Sequence, residues 1–191
     1  MKPLLKVIQL HNNQKLLIKK AAQNNRKAQQ TLFDMHAPKM LSVCRYYIKD
    51  LQQAEEVMLN GFFKVFTQIN TFQHQGAFEG WVRKIMVRES ISYLRQQKSI
   101  AFTEDYHSDT VISEQVSDEN LSVEAIQNLI DDLPEGYKMV FVMYAIEGYK
   151  HSEIAELLNI SEGTSKSQLF KARQVLQQRL NTLNSTSYGA R

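Results

Sequence analysis

The sequence predicts an all-α protein: two small helical domains joined by an acidic flexible linker, the C-terminal one a helix-turn-helix. Three observations carry this. Only 7 Gly and 3 Pro occur in 191 residues, too few for the turn density of a β-sandwich or barrel. Apolar residues recur at spacings of three and four through two long stretches, the period of an amphipathic helix. Charge is segregated as well: residues 1–98 hold 16 Lys and Arg against 6 Asp and Glu, residues 99–137 hold 10 acids and no Lys or Arg, and residues 138–191 hold 7 against 4. The predicted domains are therefore 1–98 and 121–191 with a linker over 99–120, and the cationic ends suit a polyanionic partner.

In the first domain Leu32, Met35, His36, Met40, Val43, Cys44 and Tyr47 form one helical stripe, which Pro38 is expected to kink or break. Asp50 is placed to cap a second helix, 51–68, with Ala54, Val57, Met58, Phe62, Val65, Phe66 and Ile69 on its buried face. A polar connection, residues 70–76, leads to a third helix near 77–97, where Phe78 and Trp81 are expected to anchor the bundle. On that helix Lys84, Arg88 and Arg95 fall within a sector of about 40°, a cationic rail suited to phosphates. Helical pattern resumes over 121–133, is broken at Pro134, Glu135 and Gly136, and continues through 139–146.

The last stretch reads as two helices about a tight turn. Ser152 is expected to cap a short helix, 153–158, with Ile154, Ala155 and Leu158 inward; Asn159 tolerates the left-handed turn, and Ser161 caps the next helix. In that helix Ser165, Leu169, Ala172, Leu176 and Leu180 share a sector of about 80° and are expected inside. The opposite side carries Thr164, Ser167, Lys171, Gln174 and Gln178, flanked by Lys166 and Phe170. These are groups that phosphates and major-groove base edges accept.

Other chemistries find no support. The single Cys44 cannot form an internal disulfide and is expected to be a core thiol, which fits a reducing compartment and cytoplasmic localisation. No run approaches the ~18 apolar residues of a membrane span, so no membrane insertion is expected. The five His show no ligand spacing with each other or with Cys44, so neither metal nor cofactor is predicted. Glu55 and Glu56 diverge by about 100° on a helix and cannot converge on one substrate; no phosphate loop or nucleophile elbow occurs. The chain reads as noncatalytic.

Residues 133–176 resemble the promoter-binding domain of the extracytoplasmic-function (ECF) RNA polymerase sigma factors. Leu133-Pro134, Glu147-Gly148, Glu153-Ile154-Ala155-Glu156, Ser161 to Thr164, Lys166-Ser167 and Ala172-Arg173 match that pattern. Ser165 stands where the family commonly has an apolar branched residue. Residues 54–57, 61–66, 78–85 and 93–98 resemble, in order and spacing, the family's polymerase-binding and promoter-melting domain; Leu59, Asn60, Arg88 and Ser92 depart from it.

The resemblance implies three surfaces. Glu55, Glu56, Leu59, Asn60 and Phe63 would bind the clamp of core RNA polymerase. Asn70, Gln73, His74 and Gln75, in the loop that captures a flipped base, would read the minus-ten element, with Lys84, Arg88, Arg95 and Lys98 along its backbone. Thr164, Lys166, Ser167, Phe170, Lys171 and Gln174 would read the minus-thirty-five element as duplex. Promoter DNA, core polymerase and an anti-sigma factor are the implied partners. Read from the residues without the resemblance, two other classes stay open: a stand-alone helix-turn-helix regulator with a dimerising or sensing N-terminal bundle, and an interaction protein such as an adaptor.

Overall fold

The computed structural model describes residues 14–97 and 122–188, with side chains as far as Asn181; these are helical, with no strand among them. The chain divides into two compact units that part between Tyr93 and Leu94. The acidic segment 99–120 and Lys98 lie outside the described residues.

The first unit is built from α1 (residues 14–22), α2 (Arg26–Tyr47), α3 (Leu51–Gln68) and most of α4 (Phe78–Gln97), with a 3-10 turn at Ile69–Thr71. Asn24 turns the chain in the left-handed conformation, φ 60°, and Asn25 caps α2 by accepting the Ala28 N–H at 3.0 Å. Pro38 does not break α2, contrary to the sequence expectation; one helix runs through it. The ring lies on the exposed side, while Leu32, Met40, Val43 and Tyr47 are buried on both sides of it. A proline inside a helix costs about 3 kcal/mol. Burying four such side chains returns more, at roughly 1.5–3 kcal/mol each. Met35, expected on the same stripe, is 49% exposed. It lies about 60° beyond Leu32, at the stripe's edge.

Asp50 caps α3 as expected, accepting the Gln53 N–H at 2.8 Å, a contact worth about 1 kcal/mol. Ala54, Val57, Met58, Phe62 and Val65 are buried, and Phe66 is half-buried. Gly61 is buried too, because a Cβ there would meet the Sδ and Cε atoms of Met86 on α4; its missing side chain sets the approach of the two helices. Cys44 is a fully buried core thiol.

His36 is the one histidine buried among the described residues of the first unit. Its Nε2 is 3.3 Å from Gln14 Nε2, and its ring centroid is 5.6 Å from that of Phe78. Burial lowers the imidazole pKa; Glu79 pulls it back up and Lys39 lowers it further. A histidine held neutral in the native state binds fewer protons than its unfolded counterpart, so stability rises with pH. The contribution is complete above the ordinary value near 6.5 and is lost as pH falls below it. Urea melts followed by the fluorescence of Trp81, the chain's single Trp, are expected to show lower stability at pH 5 than at pH 7. His36→Leu should flatten that slope; an unchanged slope would refute the assignment.

The second unit comprises α5 (Val123–Asp131), α6 (Glu135–Phe141), a π-helical turn (Val142–Ile146), α7 (His151–Leu158) and α8 (Glu162–Tyr188). Ser122 caps α5, accepting the Ala125 N–H at 3.1 Å. Pro134 is the N-cap of α6, so the predicted break falls one residue before the next helix and not within a three-residue gap. Leu133, Tyr137 and Ala172 form a buried cluster with Phe141, Val175 and Leu176 around it, which packs α6 against α8.

Candidate nucleic-acid and polymerase interfaces

Three exposed faces hold the predicted residues, and local chemistry fixes each. On the helix-turn-helix, α7 begins at His151, not at residue 153, and Lys150 is its N-cap. Ser152 does not cap. Glu153 reaches back instead, accepting the Lys150 N–H at 2.8 Å, which satisfies an orphan donor and starts the helix two residues early. Asn159 adopts the left-handed conformation, φ 55° and ψ 50°. The N–H groups of Asn159 and Ile160 return to the carbonyls of Glu156 and Ala155, closing α7 as expected. Ser161 caps α8, accepting the Thr164 N–H at 2.9 Å.

The inward sector of α8 holds as predicted for Ser165, Leu169 and Ala172, all buried, with Leu176 and Leu180 half-buried. Ile154 and Leu158 of α7 are buried, whereas Ala155 is only half-buried. Gln168, which sequence reasoning passed over, is 2% exposed and widens the buried face.

On the outer side Lys166, Phe170 and Gln174 are exposed, and Thr164, Ser167 and Lys171 are half-buried. Phe170 is 61% exposed, a large apolar surface on an otherwise polar face. Ser167 donates to the Thr164 carbonyl at 3.0 Å, and the hydroxyls of Ser161 and Thr164 are 2.9 Å apart. In this arrangement Ser167 meets an incoming group with its oxygen, as an acceptor.

In the first unit, Asn70, Gln73, His74 and Gln75 are all exposed in the connection between α3 and α4. Two left-handed residues shape it, His74 at φ 58° and Gly76 at φ 95°. Phe72 is buried beneath, its ring 4.8 Å from that of His74, 5.2 Å from Phe78 and 5.5 Å from Trp81. Phe78 is buried as expected, while Trp81 is half-buried and keeps an accessible edge. The loop therefore presents amides and an imidazole on an aromatic floor, a combination that can stack and hydrogen-bond an unpaired base. Sequence reading missed Phe72; its spacing from Phe78 and Trp81 was the available signal.

Lys84, Arg88 and Arg95 are exposed along α4, spread over about 16 Å of helix. On α3, Glu55, Glu56, Leu59, Asn60 and Phe63 are all exposed; Leu59 is 54% and Phe63 71% accessible, an apolar ridge beside two acids. No group of three or more potential metal ligands occurs among the described residues, and no described helix is long and apolar enough to cross a membrane.

Comparison with known proteins bears on both units. Residues 32–100 match the Sigma-70 region 2 family and residues 123–176 the Sigma-70, region 4 family. The ECF RNA polymerase sigma factor SigW of Bacillus subtilis (strain 168) is 27% identical over 190 residues, covering 88% of this chain and 99% of its own length. The ECF RNA polymerase sigma-E factor of Escherichia coli (strain K12) is 23% identical over 181 residues, covering 88% and 94%. The sigma factor RpoE of Bartonella quintana, solved with the anti-sigma factor NepR, shares the fold with a TM-score of 0.54 at 16% identity, over 80% of this chain and 96% of that one.

Two helical modules, one of the region 2 type and one of the region 4 type, define a promoter-recognition subunit of RNA polymerase. The chain belongs to the ECF RNA polymerase sigma factors, which direct the core enzyme to promoters and assist strand opening in transcription initiation. As a class these are initiation factors and not enzymes.

Proposed function

We propose a division of labour among the named residues. Glu55, Glu56, Leu59, Asn60 and Phe63 dock the factor on the clamp of core polymerase. Asn70, Gln73, His74 and Gln75 capture and read a base of the melted minus-ten element, while Lys84, Arg88, Arg95 and Lys98 hold its backbone. Thr164, Lys166, Ser167, Phe170, Lys171 and Gln174 read the minus-thirty-five element in duplex DNA. The working domains are 1–98 and 121–191, tethered by 99–120. The factor acts in the cytoplasm without a cofactor, leaves the chemistry to the polymerase, and is held in check by an anti-sigma factor.

The observation that carries this reading is the loop over its aromatic floor. Extruding a base costs a few kcal/mol of stacking and pairing. A site lacking either stacking surface or edge-reading groups would not return that energy; the exposed His74 ring and the accessible edge of Trp81, both packed on the buried Phe72, supply the first and the amides the second. Apolar ridge, amide loop and the Lys84 and Arg88 stretch of α4 follow one another in the first unit, so polymerase docking delivers the loop to the strand being opened.

Run-off transcription from a promoter library with purified core enzyme tests the whole. The expected result is a set of transcripts sharing two elements, with Gln73→Ala and Gln75→Ala relaxing selection at a minus-ten position and Gln174→Ala at a minus-thirty-five position. Tight specific duplex binding by the isolated chain, with no transcript in the presence of core, would instead favour a stand-alone regulator.

A further inference from the structure

The inward sector of α8 contains one residue that apolar packing alone would not select. Ser165 is completely buried, in a sector it shares with Leu169 and Ala172. A hydroxyl taken out of water without a partner costs about 1–3 kcal/mol. Its partner is on the other helix: His151, the first residue of α7, places Nδ1 2.8 Å from Ser165 Oγ. The imidazole is fixed in turn, its ring stacked on Tyr144 of the π-helical turn with centroids 4.6 Å apart and planes at 23°. The Arg173 guanidinium of α8 lies over the same Tyr144 ring at 5.8 Å. A polar ladder thus runs Ser165, His151, Tyr144, Arg173, tying the start of α7 and two turns of α8 to the π turn.

We infer that His151 is a positioning residue for duplex recognition: through its bond to Ser165 it sets the rotation of the first turns of α8, which carry Thr164, Lys166 and Ser167, relative to α7. This rests on the reading of α8 as the helix that enters the minus-thirty-five major groove. Ile154 and Leu158 of α7 and Leu169 of α8 are buried apolar side chains, and apolar contact is not directional. A hydrogen bond is; it weakens steeply as its angle departs from linear. At a side-chain radius of about 6 Å, a rotation of about 20° would move a reading group by about 2 Å, enough to break a base-edge contact. Burial lowers the His151 pKa, Lys166 and Arg173 act in the same sense, and Glu162 opposes them. At neutral pH the ring is therefore uncharged, and the serine hydroxyl can serve either tautomer.

The test compares holoenzymes reconstituted with the full chain on two templates, a library-selected promoter and the same promoter with its minus-thirty-five element scrambled. The ratio of the two activities measures duplex reading; thermal unfolding of each chain measures stability. Three variants are needed: Ser165→Ala, His151→Phe, which keeps a ring against Tyr144, and the double variant with neither polar group. The expected ratio falls about fivefold in all three, the scale of one hydrogen bond, while Tm drops clearly only in His151→Phe, where the buried hydroxyl is left unpaired. A double variant that regains both Tm and ratio would make the pair merely structural and overturn the inference, as would a parent-like ratio in Ser165→Ala. A parent holoenzyme indifferent to scrambling would overturn the duplex reading of α8, and this inference with it.

Discussion

Phe63→Ala is expected to leave the chain as stable as the parent and to weaken its binding to core RNA polymerase about thirtyfold. Phe63 is 71% exposed and Leu59, one turn before it, 54%. Neither fills the bundle, whose α3 contribution comes from Ala54, Val57, Met58, Phe62 and Val65 on the other side. Truncation at Phe63 opens no cavity, so the stability change should stay within about 0.5 kcal/mol. An aromatic anchor at the centre of an interface is worth about 2 kcal/mol or more when removed, which is the thirtyfold. Glu55 and Glu56 beside the ridge are also exposed. Changing them to Gln should act differently, slowing association and reducing its salt dependence more than it speeds dissociation. Fluorescence polarisation of labelled chain against purified core enzyme gives both numbers. An affinity for Phe63→Ala within twofold of the parent would remove this ridge from the interface.

What was legible in the sequence were the features that follow from local chemistry. Asp50, Asn159 and Ser161 each sit where their side chain or backbone preference ends or begins a helix, and each does so in the structure. The buried sectors of α2, α3 and α8 followed from periodicity because apolar residues at helical spacing share one face. Failures came where a longer-range term decided the outcome. Pro38 stays inside α2 because the stripe is buried on both sides of it. Ser152 lost the cap to a carboxylate three residues from Lys150, on a helix too short for periodicity to date its start. The DNA-facing groups could be placed on a face, but their partners could not be foreseen: the Ser167 hydroxyl spent on the Thr164 carbonyl, and the Ser165 hydroxyl met by His151. A departure such as Ser165 gains its meaning only from a residue 14 positions away.

Lys84→Ala combined with Arg88→Ala is expected to change the salt dependence of promoter opening more than any other feature of the factor. Both side chains are exposed on α4, and the 40° sector they share with Arg95 makes them one line of charge and not two scattered cations. Each contact with a single-stranded phosphate contributes about 0.7 to the slope of log affinity against log salt. Losing two should lower that slope by about 1.4. Over a fourfold rise in salt the parent's advantage should then shrink by about sevenfold, so the double variant looks severely defective in dilute buffer and much less so near physiological salt. A template already mismatched across the minus-ten element isolates this term, since the polymerase need not first unpair the bases. Gln73→Ala provides the contrast: an amide that reads a base edge releases no counterion, and its loss should be the same at every salt concentration. Parallel slopes for parent and double variant on the mismatched template would place the rail away from the phosphates and leave the loop to hold the strand alone.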